Sequence, residues 1–267
     1  MMGECGAERQ DSICLQSLTP HLSNVLNEQL APAYVVQRVN RFVVEVRVKG
    51  TTTTAHLPNS GRLEQLIFPG NEVLLLPKSA PHRKTDYDAV LAAVPRTDCE
   101  KQWSLIDSNI PSLVIAEGMQ KGIFPEFAGL TEINREVTVG GSRLDYRLSS
   151  SDESETCWIE LKSVTLVDGI EARFPDAPTE RGTRHLLQLC KLAQEGWRCV
   201  VIFAVCRPDA DRFAPNWEVD EEFSHALWEA SMNGVDIYSY QLLSDPEEGT
   251  RISGRLPVKL SSTARYC

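Results

Sequence analysis

The chain has 267 residues, enough for one large domain or two ordinary ones, and its 42% hydrophobic and 24% charged residues are the proportions of an ordinary globular protein. Its longest apolar run, Cys199 to Cys206, is bounded by Arg198 and Arg207 and is far too short to span a bilayer, so no membrane role is expected. The formal net charge of −10 is unevenly spread: residues 213–250 hold nine acids and no Lys or Arg, whereas residues 34–103 hold ten Lys or Arg against seven acids. Binding to a polyanion depends on a local patch, so the total charge does not exclude a nucleic-acid partner.

In chain order, residues 1–33 lack strong periodicity and read as an extension with a short helix near Leu22–Leu30. Glu4, Glu8 and Asp11, with no apolar stretch around them, argue against a secretory signal and for a cytoplasmic location. Phe42, Val44, Val46 and Val48 alternate with their neighbours as a half-buried strand ending at Gly50. Thr51–Leu57 is a β-prone return. Pro58–Gly61 and Pro69-Gly70 are turns, with a short helix open at Arg62–Phe68. Val73–Leu76, Tyr87–Val94 and Trp103–Ile106 follow as strands. Five short strands suit a small barrel of the OB type or another small all-β fold. This first domain is assigned to residues 34–107.

The pattern changes near Asp107–Pro111. Ser112 is placed to cap a helix through Gln120, followed by strands at Ile133–Val139, Arg143–Leu148 and Thr156–Leu166. A helix is expected at Glu180–Gln194 with Gly196 as its stop, then a buried strand at Arg198–Cys206. Asp220 caps a helix to Met232, Gly234 ends it, and Val235–Tyr240 is a last strand. The order α-β-β-β-α-β-α-β predicts a mixed sheet with helices on its faces over residues 108–260, with a tail at 261–267. None of the eight cysteines has CxxC spacing, which removes zinc-ribbon and redox-motif readings and leaves Cys190, Cys199 and Cys206 as small core residues.

The turn SSSDESE between Leu148 and Thr156 sets a hairpin register. If the turn is symmetric about Asp152 and Glu153, Asp145 faces Glu160 with Cβ atoms about 5 Å apart. Lys162 lies two residues on and shares their face, while Leu144, Tyr146, Leu148, Ile159 and Leu161 are expected on the other. Facing carboxylates repel, and a hard cation such as Mg²⁺ between them would relieve that. The competing reading is a solvated sheet face with weak ion pairs to Arg143 and Arg147, because an E-x-K triplet alone is common by chance.

These residues resemble the sugar fermentation stimulation protein (SfsA) family. The carriers are RVNRF (38–42), AHLPNSGRLEQL (55–66), RKTDYD (83–88), SRLDY (142–146), ELKSVTL (160–166), FPDAPTERGTRHL (174–186) and FAPNWEVDEEF (213–223). The resemblance implies an α+β two-domain protein, an N-terminal OB-like barrel joined to a C-terminal PD-(D/E)xK, restriction-endonuclease-like domain. It also implies DNA binding and a link to sugar utilisation such as maltose metabolism. Carried over by position, it puts the acidic residue at Asp145 and the E-x-K at Glu160, Leu161 and Lys162, with Leu144 where the motif has proline. Glu117 is the candidate for an additional acid, with Glu126 and Glu136 as competitors. The literal Pro175-Asp176 follows the E-x-K and so is not the motif's first half.

Arg181, His185 and Gln188 share one stripe of the following helix, which could hold a phosphate or orient the carboxylates, or be a solvated face. Arg38, Asn40, Arg41, Asn59, Arg62 and Lys84 are candidate phosphate contacts in the first domain, against scattered surface charge. The expected activity is therefore phosphodiester hydrolysis with Mg²⁺ or Mn²⁺ on DNA, single-stranded or structured, with RNA also open. The alternative is a non-enzymatic DNA-binding regulator on a nuclease scaffold.

Overall fold

The structure, a computed structural model, describes residues 30–79, 81–95 and 101–261. The helix expected near Leu22–Leu30 and the tail after 261 lie outside the described residues. Strands β1 (Ala31–Asn40), β2 (Val43–Val48), β3 (Thr51–His56), β4 (Glu72–Pro77) and β5 (Tyr87–Ala93) come first, and β6 (Trp103–Leu105) follows. The second part contains α1 (Ile110–Gln120), β7 (Glu132–Val139), β8 (Ser142–Ser149), β9 (Thr156–Val164), β10 (Leu166–Asp168), β11 (Glu171–Phe174) and α2 (Glu180–Gln194). It ends with β12 (Arg198–Val205), β13 (Arg212–Pro215), α3 (Glu221–Met232), β14 (Val235–Asp245) and β15 (Gly249–Arg255).

β1 to β5 form a closed barrel. The strand order is β3-β2-β1-β4-β5, and a pairing of His56 with Asp88 joins β5 back to β3. Alternation along β2 sends Val44, Val46 and Val48 inward, where they meet Leu57, Leu66, Val73 and Leu75. The expected helix at Arg62–Phe68 is absent. Those residues form turns, with Leu63 at φ +54 and the Asn71 side chain donating to Leu66 O at 2.7 Å.

β6 pairs with β5 on one side and β14 on the other, so one sheet runs through both parts in the order β6-β14-β12-β9-β8-β7. β9, β12 and β14 are parallel, whereas β8 pairs antiparallel with β9, giving the mixed sheet. β12 is apolar along its length because it is covered on both faces. One face packs with α1 in a cluster that also holds Leu74, Leu76, Val90, Leu91 and Leu105 from β4, β5 and β6. The two parts therefore share a hydrophobic core. The other face packs under α2 and α3, with Leu186, Leu189, Phe223 and Leu227 against Val201 and Phe203.

α2 begins at the expected Glu180, and α3 begins directly after its expected cap, Asp220. Thr179 accepts from Gly182 N at 3.1 Å, and Asp220 accepts from Phe223 N at 2.9 Å. Gly196 and Gly234, at φ +93 and +85, turn the chain after them. α1 starts two residues before the expected cap. Pro111 occupies its first turn, and Ser112 sits inside the helix with its hydroxyl on Tyr146 Oη. The small sheet β10-β11-β13 was not expected, because each strand is three or four residues long. No described helix is long and apolar enough to cross a membrane.

Candidate active site

The hairpin register places the acid pair. β8 and β9 pair Tyr146 with Ile159, Arg147 with Trp158 and Leu148 with Cys157, the register expected from a turn centred on residues 152 and 153. Continued by one residue it sets Asp145 across from Glu160, yet the ladder stops at Tyr146. Instead the Asp145 carboxylate itself accepts from Leu161 N at 2.7 Å. On its other side, β7 pairs Arg135 with Tyr146 and Val137 with Leu144, leaving Glu136 opposite Asp145 at φ +53. That left-handed residue breaks the regular alternation. Leu144 consequently packs in the α2–α3 cluster while Tyr146 and Leu148 pack with α1, so Leu144 does not share their face as expected.

Glu160 is 2% exposed. Its Oε1 accepts from Lys162 Nζ at 2.5 Å and from His185 Nδ1. Its Oε2 is buried with no partner among the described residues. The second ring nitrogen of His185, Nε2, accepts from Arg181 Nε at 3.4 Å, which assigns the proton to Nδ1. The stripe Arg181–His185 thus forms a chain of contacts that ends on Glu160. Burial pushes the Asp145 carboxyl up to about 6, helped by the charge of Glu160. Burial acts upward on Glu160 too, but the His185 hydrogen bond and the Lys162 ammonium outweigh it and hold that carboxyl below its ordinary value. Two neighbouring acids with opposed shifts are a signature of sites built for chemistry.

The pair faces a cleft of about 330 Å³ between the two parts of the molecule. Arg41, Asn59, Ser60 and Gly61 form its barrel wall, and Lys162, Arg173, Asp176 and Arg181 lie across from them. Segment 174–182 explains its own sequence. Phe174 packs on Phe203 and Phe223, with ring centroids 5.7 and 5.1 Å apart. Asp176 accepts from Leu63 N at 3.2 Å, tying the cleft's far wall to the barrel. A Cβ on Gly182 would lie 2.8 Å from Thr179 Cγ2, so the capped turn admits only glycine without adjustment.

The other expected contacts separate into groups. Arg41 and Asn59 line the cleft, but Asn59 also organises its own turn, donating to Ile106 O at 2.9 Å and accepting from Gly61 N at 2.8 Å. Arg38 is turned inward: its guanidinium donates to Asn40 O (3.2 Å), Arg41 O (2.8 Å), Gly61 O (2.7 Å) and Arg62 O. Asn40 holds the β1–β2 turn through Phe42 N at 2.9 Å. The Arg62 and Lys84 side chains are exposed and outside the cleft. Gln188 is buried in a neighbouring groove.

Glu117 is not brought to the acid pair. It lies on α1, on the sheet face opposite α2, and bonds Lys121 at 2.6 Å. Glu126 accepts from Tyr240 Oη at 2.7 Å, and Glu136, though in register beside Asp145, is 65% exposed and 3.7 Å from Arg143. Among the described residues no three His, Cys, Asp or Glu side chains gather as a metal-binding group. Residues the sequence reading did not single out are Arg173, Asp176 and Thr179. The signal for Asp176 and Thr179 was the segment FPDAPTERG, whose roles depend on a loop conformation that no periodicity reveals, and Arg173 stands just before it in β11.

Comparison with known proteins places this arrangement. The family model described as the sugar fermentation stimulation protein RE domain matches residues 109–248, and the SfsA N-terminal OB domain matches residues 36–103. A sugar fermentation stimulation protein homolog of Natranaerobius thermophilus is 44% identical over 225 residues, covering 83% of this chain and 91% of the relative. One of Desulforamulus reducens is 40% identical over 249 residues, covering 92% and 100%. The structure of Pyrococcus furiosus SfsA in complex with Ca²⁺ superposes with a TM-score of 0.80 at 30% identity, covering 91% of this chain and all of that one.

Proposed function

The chain belongs to the sugar fermentation stimulation protein family, with an OB barrel on a restriction-endonuclease-like domain, and from that premise we propose that it is a divalent-metal-dependent phosphodiesterase acting on DNA. The observation that carries the reading is Glu160 Oε2, a buried carboxylate oxygen without a partner beside a second acid. Such an atom is costly to leave unsatisfied. Asp145 and Glu160 would hold Mg²⁺ or Mn²⁺, which takes one or two carboxylates and keeps water or phosphate for its other ligands. The Ca²⁺ complex of the Pyrococcus furiosus relative supports a divalent site at the family level.

Held by Asp145 and Glu160, such an ion would polarise a phosphate oxygen and make water a better nucleophile. The chain's own groups do the rest. His185 donates to Glu160 and fixes that carboxylate's orientation. Lys162 Nζ stands beside the pair, placed to donate to the attacking water or to the oxygens that gain charge on phosphorus. Arg41 and Arg181, both lining the cleft, hold flanking phosphates. The water oxygen would bond phosphorus as the bond to the leaving sugar oxygen breaks, one water proton passing to solvent and the leaving oxygen taking one up from it.

The test is purified protein with Mg²⁺ or Mn²⁺ on single-stranded, duplex and structured DNA and RNA. Cleavage by wild type and its loss in Asp145→Ala and Glu160→Ala is expected. Equal background in all three overturns the reading. The Lys162–Glu160 contact favours a second reading, because a closed ion pair can neutralise the acid without metal. It describes a non-enzymatic DNA-binding regulator of sugar metabolism, whose binding survives Asp145→Ala with no cleavage in any metal.

A further inference from the structure

A second groove, of about 480 Å³, adjoins the cleft and shares Arg181 with it. Its walls are the Gly140-Gly141 turn between β7 and β8 and the exposed side of α2. Arg143, Arg181, Arg184 and Lys191 line it, and no acidic residue does. Among the described residues neither Arg184 nor Lys191 has an ion-pair partner, so both charges stand available. The floor is Gln188, 8% exposed, whose amide faces Gly140 so closely that a Cβ there would collide with it. That amide makes no hydrogen bond to any described residue. Gly141, at φ +81, has nothing within 4 Å of its missing Cβ, so a ligand backbone can approach the turn without meeting a side chain. Basic walls, a polar floor and a bare glycine turn are the features that bind a sugar-phosphate backbone without reading bases.

We propose that this groove is a second backbone-phosphate subsite, through which a single nucleic-acid strand leaves the cleft. The cleft's geometry argues for one strand. A Cβ on Gly61 would lie 2.5 Å from Asp176 Oδ2, Leu63 N donates to the same carboxylate at 3.2 Å, and Gln65 bonds Val167 O at 2.7 Å. These contacts hold the barrel loop against the second domain, over a floor where Glu160 is 2% exposed. A stiff duplex is expected to stand off from so buried a floor, whereas one flexible strand can be threaded to it. The inference rests on the proposed phosphodiesterase only for the strand's direction, since binding in the groove needs no turnover.

The experiment is fluorescence anisotropy with labelled single-stranded DNA and RNA of one sequence, in chelator so that nothing is cleaved. Arg184→Glu/Lys191→Glu should weaken binding at least tenfold, and the slope of log affinity against log salt should fall by about 1.4, roughly 0.7 per lost phosphate contact. Lys121→Glu, just after α1, should leave both unchanged. Equal thermal midpoints show that the variants fold, and Arg184→Gln/Lys191→Gln should give the same effect in smaller measure. The subsite is overturned if the double reversal binds within twofold of wild type with the same slope. It is also overturned if a duplex competes as well as the single strand. Hydrolysis of bis(4-nitrophenyl) phosphate with Mn²⁺ separates this from the catalytic reading, because so small a diester fills the cleft alone. The double reversal should keep the wild-type rate on it. If wild type has no activity on that diester or on any polymer while strand binding still falls in the double variant, the phosphodiesterase fails and the subsite stands.

Discussion

In the barrel, Arg38 spends its guanidinium on the carbonyls of Asn40, Arg41, Gly61 and Arg62, whereas in the second domain Glu160 buries a carboxylate oxygen that nothing bonds. Both are charged residues within segments that resemble the family, and both looked functional in the sequence. The difference separates two kinds of selection. A polar group satisfied by its own fold shapes a loop, and a polar group left unsatisfied at the base of a cleft is held ready for something that arrives. Arg38 therefore bears on the cleft through the 59–62 loop it pins, whereas Glu160 lines the cleft itself.

The strongest way to break this contrast is at Glu160. Glu160→Gln keeps an oxygen for Lys162 and His185 but removes the charge, so hydrolysis should fall on the order of a thousandfold with little change in the unfolding midpoint. A large stability loss with modest loss of turnover would make Glu160 a structural acid. Arg38→Ala should behave in the opposite sense. Four hydrogen bonds, each contributing roughly 0.5–1.5 kcal/mol, make a loss of about 2–6 kcal/mol in urea unfolding. Strand affinity should fall with it, since Ser60 and Gly61 in the cleft wall lose their anchor. If Arg38→Ala weakens binding without destabilising the fold, the residue contacts nucleic acid and the contrast is wrong.

That Arg38 turns to its own loop while Glu160 faces the cleft shows where the sequence is legible. Alternation in β2, the cap Asp220 and the symmetric turn at residues 152–153 are local signals, and they yield strands, a helix start and the register that runs Asp145 toward Glu160. The break at Glu136 is not local to β8, so the side on which Leu144 packs could not be read from β8 alone. Glu117 failed for a related reason. A helix shows which residues share its stripe but not which face of the sheet it covers, and α1 covers the face away from α2. Asp176 was invisible because its role is a contact between domains, 113 residues from Leu63.

A smaller effect tests whether the site carries strain. The Asp145 carboxyl is pushed up to about 6 by burial and by Glu160, against an ordinary value of 3.8. The folded state therefore holds a proton that the unfolded chain has lost between those two values. Stability falls as pH rises from about 3.8 through 6 and is level above. At about 1.4 kcal/mol per pH unit this is roughly 1–3 kcal/mol, after discounting for partial exposure and coupling to Glu160. Asp145→Asn should be more stable than wild type by that amount at pH 8 and no more stable near pH 3, by urea unfolding at the two values. An equal difference at both would mean that packing, not charge, sets the effect. Such a gain alongside lost hydrolysis is the exchange of stability for function that the contrast with Arg38 requires.

The least effect is expected at Lys84, which tests how far the nucleic-acid track extends along the barrel. Lys84 is exposed between β4 and β5 and lines neither the cleft nor the groove, whereas Arg41 lines the cleft with its Nε on Ser60 O at 2.9 Å. Lys84→Gln should change stability by less than about 0.5 kcal/mol. It should also leave the salt slope of single-strand binding unmoved, while Arg41→Gln lowers that slope by about 0.7. Equal slopes for the two variants would carry the strand past the cleft onto the β4–β5 loop. The barrel would then share in binding through free charges as proposed for the second domain, and the division between satisfied and unsatisfied groups would run within the barrel rather than between the domains.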